Sequence, residues 1–299
     1  MTRRTFMTTL AAAGLTGAAH QTLADGTAKP KFLFGACQGL DRAAKMKAAG
    51  FDFIELGVGG TLRPNDSDEA FKPQLDKLLA SPLPIRSCNG FIPGDLKLTG
   101  PNPLHEKALA YAEKACRRAD LINMTCIVFG SGGARNAPKD FDIAKAKDQF
   151  IDFCRKLGDR IADCKVTVVL EPLNKKEANY LQTVPEGSEM VDLIDKPRIR
   201  LLGDFYHMRC EKEPADDFRK AGAKIRHCHI AEHNGRVCPG IHGEDFSDYF
   251  AALRDIGYTG GISCECGWPQ KKQEDGTRTP PIEELWAKAL STMKKQAGV

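Results

Sequence analysis

Short apolar runs rich in β-branched and aromatic residues recur eight times along the chain, and longer segments of helical periodicity separate them. Alternation of this kind builds a parallel sheet whose connections are helices. Strands are predicted at Lys31–Ala36, Phe53–Gly57, Ile85–Asn89, Cys126–Phe129, Val166–Glu171, Arg200–Asp204, His227–Ala231 and Gly261–Glu265. Eight parallel strands close into a barrel, so the expected fold is α/β, a single-domain (β/α)8 (TIM) barrel.

The intervening segments have the amphipathic pattern of outer helices. Leu104–Ala119 places Leu104, Ala108, Leu109, Ala112 and Ala115 on one face, and Asp142–Cys164 does the same with Phe150, Phe153, Leu157 and Ile161. A last helix is predicted over Ile282–Lys295, after a polar surface loop, Gln270–Pro281. An open doubly wound sheet would require a glycine-rich dinucleotide turn after an early strand. Leu56-Gly57-Val58-Gly59-Gly60 lacks the third glycine and enters a Pro- and Asp-containing stretch instead of a helix.

The beginning of the chain reads differently. Arg3-Arg4-Thr5-Phe6 precedes a weakly apolar Leu10–Ala19 run that ends near Thr22-Leu23-Ala24. Residues 1–24 are therefore expected to be a twin-arginine export signal, with 25–299 the barrel and a periplasmic or extracellular destination. Proteins exported this way fold first in a reducing compartment, so most of the eleven cysteines are expected to be buried thiols and not disulfides. No later stretch approaches the twenty apolar residues of a membrane span. The formal charge of +4 drops to +2 without Arg3 and Arg4, too weak a field to hold nucleic acid.

Side chains at the carboxyl ends of barrel strands converge on one mouth, and four of these ends carry metal-ligand chemistry. The fifth predicted strand ends in Glu171-Pro172-Leu173-Asn174, the sixth in Asp204-Phe205-Tyr206-His207, the seventh holds His227-Cys228-His229, and the eighth ends in Ser263-Cys264-Glu265. Three carboxylates and an imidazole favour Mn²⁺ or Mg²⁺, with Co²⁺ or Zn²⁺ as alternatives accepted by the imidazole. Strand alternation turns Cys228 away from the side that His227 and His229 face. Glu55 is expected to be a hydrogen-bond partner at the barrel rim, and Arg135 either to point at the mouth from the Gly130–Arg135 turn or to form a surface salt bridge. No helix is expected directly after that turn, which argues against a phosphate cradle.

These segments resemble the xylose isomerase-like superfamily of sugar isomerases and epimerases, particularly its ketose 3-epimerase and hydroxypyruvate isomerase branch. The resemblance covers nearly all of residues 31–295, including Ser87-Cys88-Asn89-Gly90-Phe91 and the segment Phe129–Arg135. It implies one divalent ion held by Glu171, Asp204, His229 and Glu265, with Glu171 and Glu265 also catalytic in proton exchange. It further implies a substrate-oxygen contact from His207 and a supporting role for Glu177. Arg236 matches a substrate-binding arginine, although it lies seven residues after His229 where the family pattern has six. Pro239-Gly240 restores the alignment beyond this insertion, and His242 in the same loop is read as either a substrate contact or a solvated side chain.

A proton next to a carbonyl is too weakly acidic for a carboxylate to remove unless the resulting enediolate is stabilised electrostatically. Two glutamates on opposite sides of the substrate then give inversion, whereas one working across adjacent carbons gives aldose–ketose isomerisation. An alternative outcome is a lyase, in which proton removal expels the aglycone of a 3-keto-glycoside, a substrate suited to an exported enzyme. The expected partner is a sugar or keto-sugar, with a homo-oligomer allowed. Apurinic endonucleases share this barrel, but they take further zinc ligands from early strands, and here His105 is the sole histidine between Lys31 and Leu170. A non-catalytic sugar binder is the other class considered; all four expected ligands are present in the sequence.

Overall fold

A computed structural model describes residues 32–299. The expected export signal, residues 1–24, lies outside the described residues, as does Lys31. Eight parallel strands close into one barrel in chain order: β1 (Leu33–Cys37), β2 (Phe53–Gly57), β3 (Ile85–Asn89), β4 (Cys126–Phe129), β5 (Thr167–Leu170), β6 (Ile199–Asp204), β7 (Ile225–Ile230) and β8 (Gly261–Cys264). β1 pairs with both β2 and β8, so no barrel strand keeps a free edge.

The predicted strands need adjustment mainly at their ends. β5 and β8 stop one residue before Glu171 and Glu265, which leaves both side chains at the rim of the mouth. Asp204 pairs in register with His229, and His229 with Ser263, so the ends of β6 and β7 lie level with each other.

Apolar side chains form two layers. Cys126, Val128, Val169 and Leu202 fill the barrel interior, while the larger cluster packs between the sheet and the surrounding helices. Helix His105–Leu121 buries Ala108, Leu109, Ala112 and Ala115, but Leu104 precedes it and is exposed. Asp142 lies outside the next helix, Ile143–Arg160, and caps it by accepting the Ala144 and Lys145 N–H groups at 2.7 and 3.1 Å. The last helix, Ile282–Ala297, ends at Gly298 in the left-handed conformation (φ 69°). The expected loop 270–281 contains a small antiparallel pair, Lys271–Lys272 with Arg278–Thr279.

All eleven cysteines are free, eight of them buried. Cys228 belongs to the outer layer, as strand alternation requires. No described helix is long and apolar enough to cross a membrane.

Candidate metal centre

The barrel brings together the four side chains expected to hold an ion. Glu171, Asp204, His229 and Glu265 each offer a ligand-type atom, and these atoms all lie within 4.8 Å of one another. Glu171, Asp204 and His229 are buried, while the Glu265 side chain is 25% exposed towards the mouth. His229 Nδ1 lies 3.2 Å from Glu171 Oε1 and 3.4 Å from Glu265 Oε2.

The other nitrogen of His229 decides which face of the ring is available. Nε2 lies 2.9 Å from Glu55 Oε1, while Glu55 Oε2 meets His227 Nε2 at 2.8 Å and accepts the Ser87 hydroxyl at 2.6 Å. Burial works to raise the Glu55 carboxyl, but His229 and His227 outweigh it and hold the group well below the usual carboxylate range. The ionised Glu55 accepts the Nε2–H of His229 and so turns Nδ1 towards the carboxylates. Burial works to lower the imidazole, but Glu55 and Glu265 prevail and hold it well above its ordinary range, so a cation bound here would take the place of the Nδ1 proton. A carboxylate behind an imidazole in this way fixes the tautomer and orientation of a metal-binding histidine. Glu55 is thus a hydrogen-bond partner, but it is wholly buried beneath His229 and not at the rim as expected.

Three carboxylates crowded around one imidazole nitrogen repel each other in a mostly buried site. Burial raises the Glu171 carboxyl above its ordinary range, with Glu265 and Asp204 adding to the rise and His229 opposing it. At Glu265 burial also works upward, but His229 and Arg236 prevail and bring the carboxyl down to about 2. Among the described residues Arg236 is the one arginine or lysine paired with the cluster, through Nη2 at 2.6 Å from Glu265 Oε2 and 3.9 Å from Asp204 Oδ2. Three hard oxygen donors and one aligned imidazole nitrogen fit a divalent ion of the Mn²⁺ or Mg²⁺ kind.

The glycine-rich turn after β4 makes room for this arrangement. A Cβ on Gly130 would stand 2.3 Å from Glu171 Oε2. Gly132–Arg135, inside that turn, forms a single helical turn, and the next helix begins only at Ile143, so no helix follows the turn directly, as expected. Arg135 neither faces the mouth nor forms a surface salt bridge. It is fully buried and donates to the carbonyls of Gly130, Tyr180 and Glu171 at 2.7, 2.8 and 3.1 Å, tying the β4 turn to the segment after β5.

The remaining expected site residues lie around the rim. His207, in the first turn of helix Phe205–Glu211, accepts the Asn174 backbone N–H on Nδ1 at 3.1 Å and lies 2.8 Å from the Asn174 amide nitrogen. The ring proton is then on Nε2, which is buried without a hydrogen-bond partner and 3.5 Å from Asp204 Oδ2. Glu177 is exposed and accepts from Asn174 at 3.0 Å and from Arg236 at 3.3 Å. Arg236 also lies over the Tyr206 ring, 4.7 Å from its centroid. His242 is exposed, the solvated alternative of the two.

Three residues enter that the sequence reading did not single out. Asn89, at the end of β3, donates to Glu265 Oε1 at 2.9 Å, and Asn174 orients both His207 and Glu177. Asn89 is a polar residue at a strand end, the signal that marks the carboxylates, whereas Asn174 lies four residues beyond β5. Glu232 is fully buried and collects the backbone N–H groups of Gly240, His242 and Gly243, which shapes the loop beyond Arg236.

The family model for the xylose isomerase-like TIM barrel matches residues 43–296. The chain is 27% identical over 241 residues to a D-psicose 3-epimerase of Agrobacterium fabrum, covering 76% of this chain and 77% of that protein. It is 32% identical over 143 residues to a D-psicose 3-epimerase of Enterocloster bolteae, covering 46% of this chain and 47% of that protein, so the match spans about half the length of this relative. The crystal structure of 3-keto-D-glucoside 4-epimerase from E. coli, in its apo form, has the same fold, with a TM-score of 0.71 and 20% identity over 87% of this chain and all of that one.

Proposed function

Because the chain belongs to the xylose isomerase-like TIM barrel family, we propose that it is a divalent-metal-dependent sugar epimerase or isomerase that moves a proton on a carbon next to a carbonyl. The observation that carries this reading is the meeting of Glu171 and Glu265 at His229 Nδ1, 3.2 and 3.4 Å away, beside an open mouth. Glu171, Asp204, His229 and Glu265 would hold the ion, which when bound supplies positive charge to stabilise the oxyanion formed as the carbon loses its proton. Glu171 and Glu265 exchange the substrate proton, one giving it and the other taking it. His207 donates from Nε2 to a substrate oxygen, which satisfies its orphaned N–H. Arg236 holds Glu265 in place and offers its remaining donors to the substrate.

The similarity to a 3-keto-D-glucoside 4-epimerase favours a second reading with a 3-keto-glycoside as substrate. There the C–H bond next to the carbonyl breaks, its electron pair forms a carbon–carbon double bond, and the glycosidic C–O bond breaks to release the aglycone, which takes up a proton. Export by the twin-arginine route to the periplasm or beyond belongs to the same proposal, since free sugars and oxidised glycosides are met there.

Mn²⁺-loaded protein incubated in D₂O with ketoses, hydroxypyruvate and 3-keto-glycosides, followed by NMR, tests both readings. Deuterium entering a ketose with inversion at one carbon supports the epimerase, and free aglycone supports the lyase. Substrate C–H bonds that stay untouched throughout would mark a sugar-binding barrel without catalysis. Glu265→Gln is expected to cut turnover by orders of magnitude while Mn²⁺ affinity changes far less, because the amide keeps an oxygen donor but loses basicity.

A further inference from the structure

At the opposite end of the barrel, where the strands begin, a cavity of about 340 Å³ takes no part in this chemistry. Four arginines line it: Arg86 in β3, Arg198 just before β6, Arg200 in β6 and Arg226 in β7. Among the described residues no carboxylate lines it. Nearby acidic groups are engaged by lysines, Asp192 by Lys224 at 2.5 Å and Asp159 by Lys196 at 2.6 Å. Asp195, which acts on Arg200, is exposed.

Two of the guanidinium groups are held in place by backbone carbonyls. Arg198 Nη1 donates to Lys165 O at 3.1 Å, and Arg200 Nη1 donates to Lys196 O and Ile199 O at 3.0 and 2.9 Å. Arg86 Nε is buried and has no hydrogen-bond partner among the described residues. Burial, with Arg226 and Arg198 close by, pulls Arg200 below the usual arginine range. Thr167 and Thr259 add hydroxyl groups to the same walls.

Like charges gathered without carboxylates call for a counter-anion, and guanidinium forks match the paired oxygens of a phosphate. The volume lies at the lower end of small-ligand cavities, roughly 300–1,000 Å³, and so admits more than a single small ion. We propose that this end of the barrel binds a multiply charged phosphate-type oxyanion, a pyrophosphate or a phosphate ester, independently of the metal centre at the mouth.

The test is titration calorimetry and thermal unfolding with pyrophosphate at constant ionic strength, on the wild type and on Arg86→Gln/Arg200→Gln. Pyrophosphate is expected to raise the wild-type Tm, and the double variant is expected to bind at least about tenfold more weakly with little or no rise. Chelation of metal at the mouth acts on both proteins alike and cancels in the comparison. Arg226→Gln, an exposed substitution that leaves the interior unchanged, is expected to weaken binding in the same direction. An equal Tm rise in wild type and double variant, or a wild-type rise matched by sodium chloride at the same ionic strength, overturns the proposal.

Discussion

Glu55 Oε1 lies 2.9 Å from His229 Nε2, on the opposite side of the imidazole from Glu171 and Glu265. This contact sets the direction in which Nδ1 points, so the ability of the cluster to hold a cation depends on a residue that does not face the mouth. Glu55→Gln keeps the size but loses one acceptor oxygen and the charge. Mn²⁺ affinity is expected to fall by about 10- to 100-fold with the circular dichroism spectrum retained. Unchanged Mn²⁺ affinity in a direct titration would show that Glu55 does not orient His229.

Gly130→Ala tests how tightly the β4 turn encloses the centre. The added methyl would stand 2.3 Å from Glu171 Oε2, so the carboxylate must move. Metal affinity and turnover should fall together. Gly133→Ala in the same turn meets nothing closer than 3.6 Å and serves as a control expected to be near wild type. If both variants behave alike, the space left by Gly130 is not what positions Glu171.

Away from the site, burial pushes the Glu213 carboxyl up to about 7, against the Val184 N–H that it accepts at 2.7 Å. A carboxyl raised in the folded state binds protons that the unfolded chain releases, so its contribution to stability is lost as pH rises from the ordinary carboxylate value to about 7. The full loss is on the order of 3 kcal/mol. Glu213→Gln should therefore gain Tm relative to wild type at pH 8 compared with pH 4. A Tm difference that is the same at both pH values would rule this out.

The barrel was legible in the sequence because eight apolar runs and the helical patterns between them each satisfy a local rule. The four-residue cluster was legible for a related reason: a polar residue ending an apolar strand must emerge at the mouth. Glu55 ends no strand, and its importance depends on β2 and β7 facing each other across the interior, which spacing along the chain does not reveal. Arg135 was misread because charge suggested exposure. Its guanidinium instead satisfies carbonyls of the β4 turn and of the segment after β5, a need that appears only once those segments are packed together.

The export proposal rests on Arg3 and Arg4. Arg3→Lys with Arg4→Lys is expected to leave the folded protein inside the cell, as judged by fractionation. Normal secretion of this variant by the general pathway would remove the argument that links the substrate to the compartment.

Arg236 sits where the sequence departs from the family spacing, and the loop absorbs the extra residue. Glu232 N–H bonds to Val237 O at 2.8 Å, Gly235 takes φ 75°, and Arg236 O accepts the Gly267 N–H at 2.7 Å, two residues past Glu265. The guanidinium is thereby brought to 2.6 Å from Glu265 Oε2. Arg236→Ala removes a charged hydrogen bond, a loss on the order of 1.5–3 kcal/mol, so kcat/KM is expected to fall roughly ten- to a hundredfold. Metal affinity should hold or tighten, because the carboxylate cluster loses a competing positive charge. Arg236→Lys should restore charge but not the two-pronged geometry that reaches both Glu177 and Glu265, and so recover only part of the rate. A kcat/KM within about twofold of wild type in Arg236→Ala would mean that this arginine positions nothing the reaction needs.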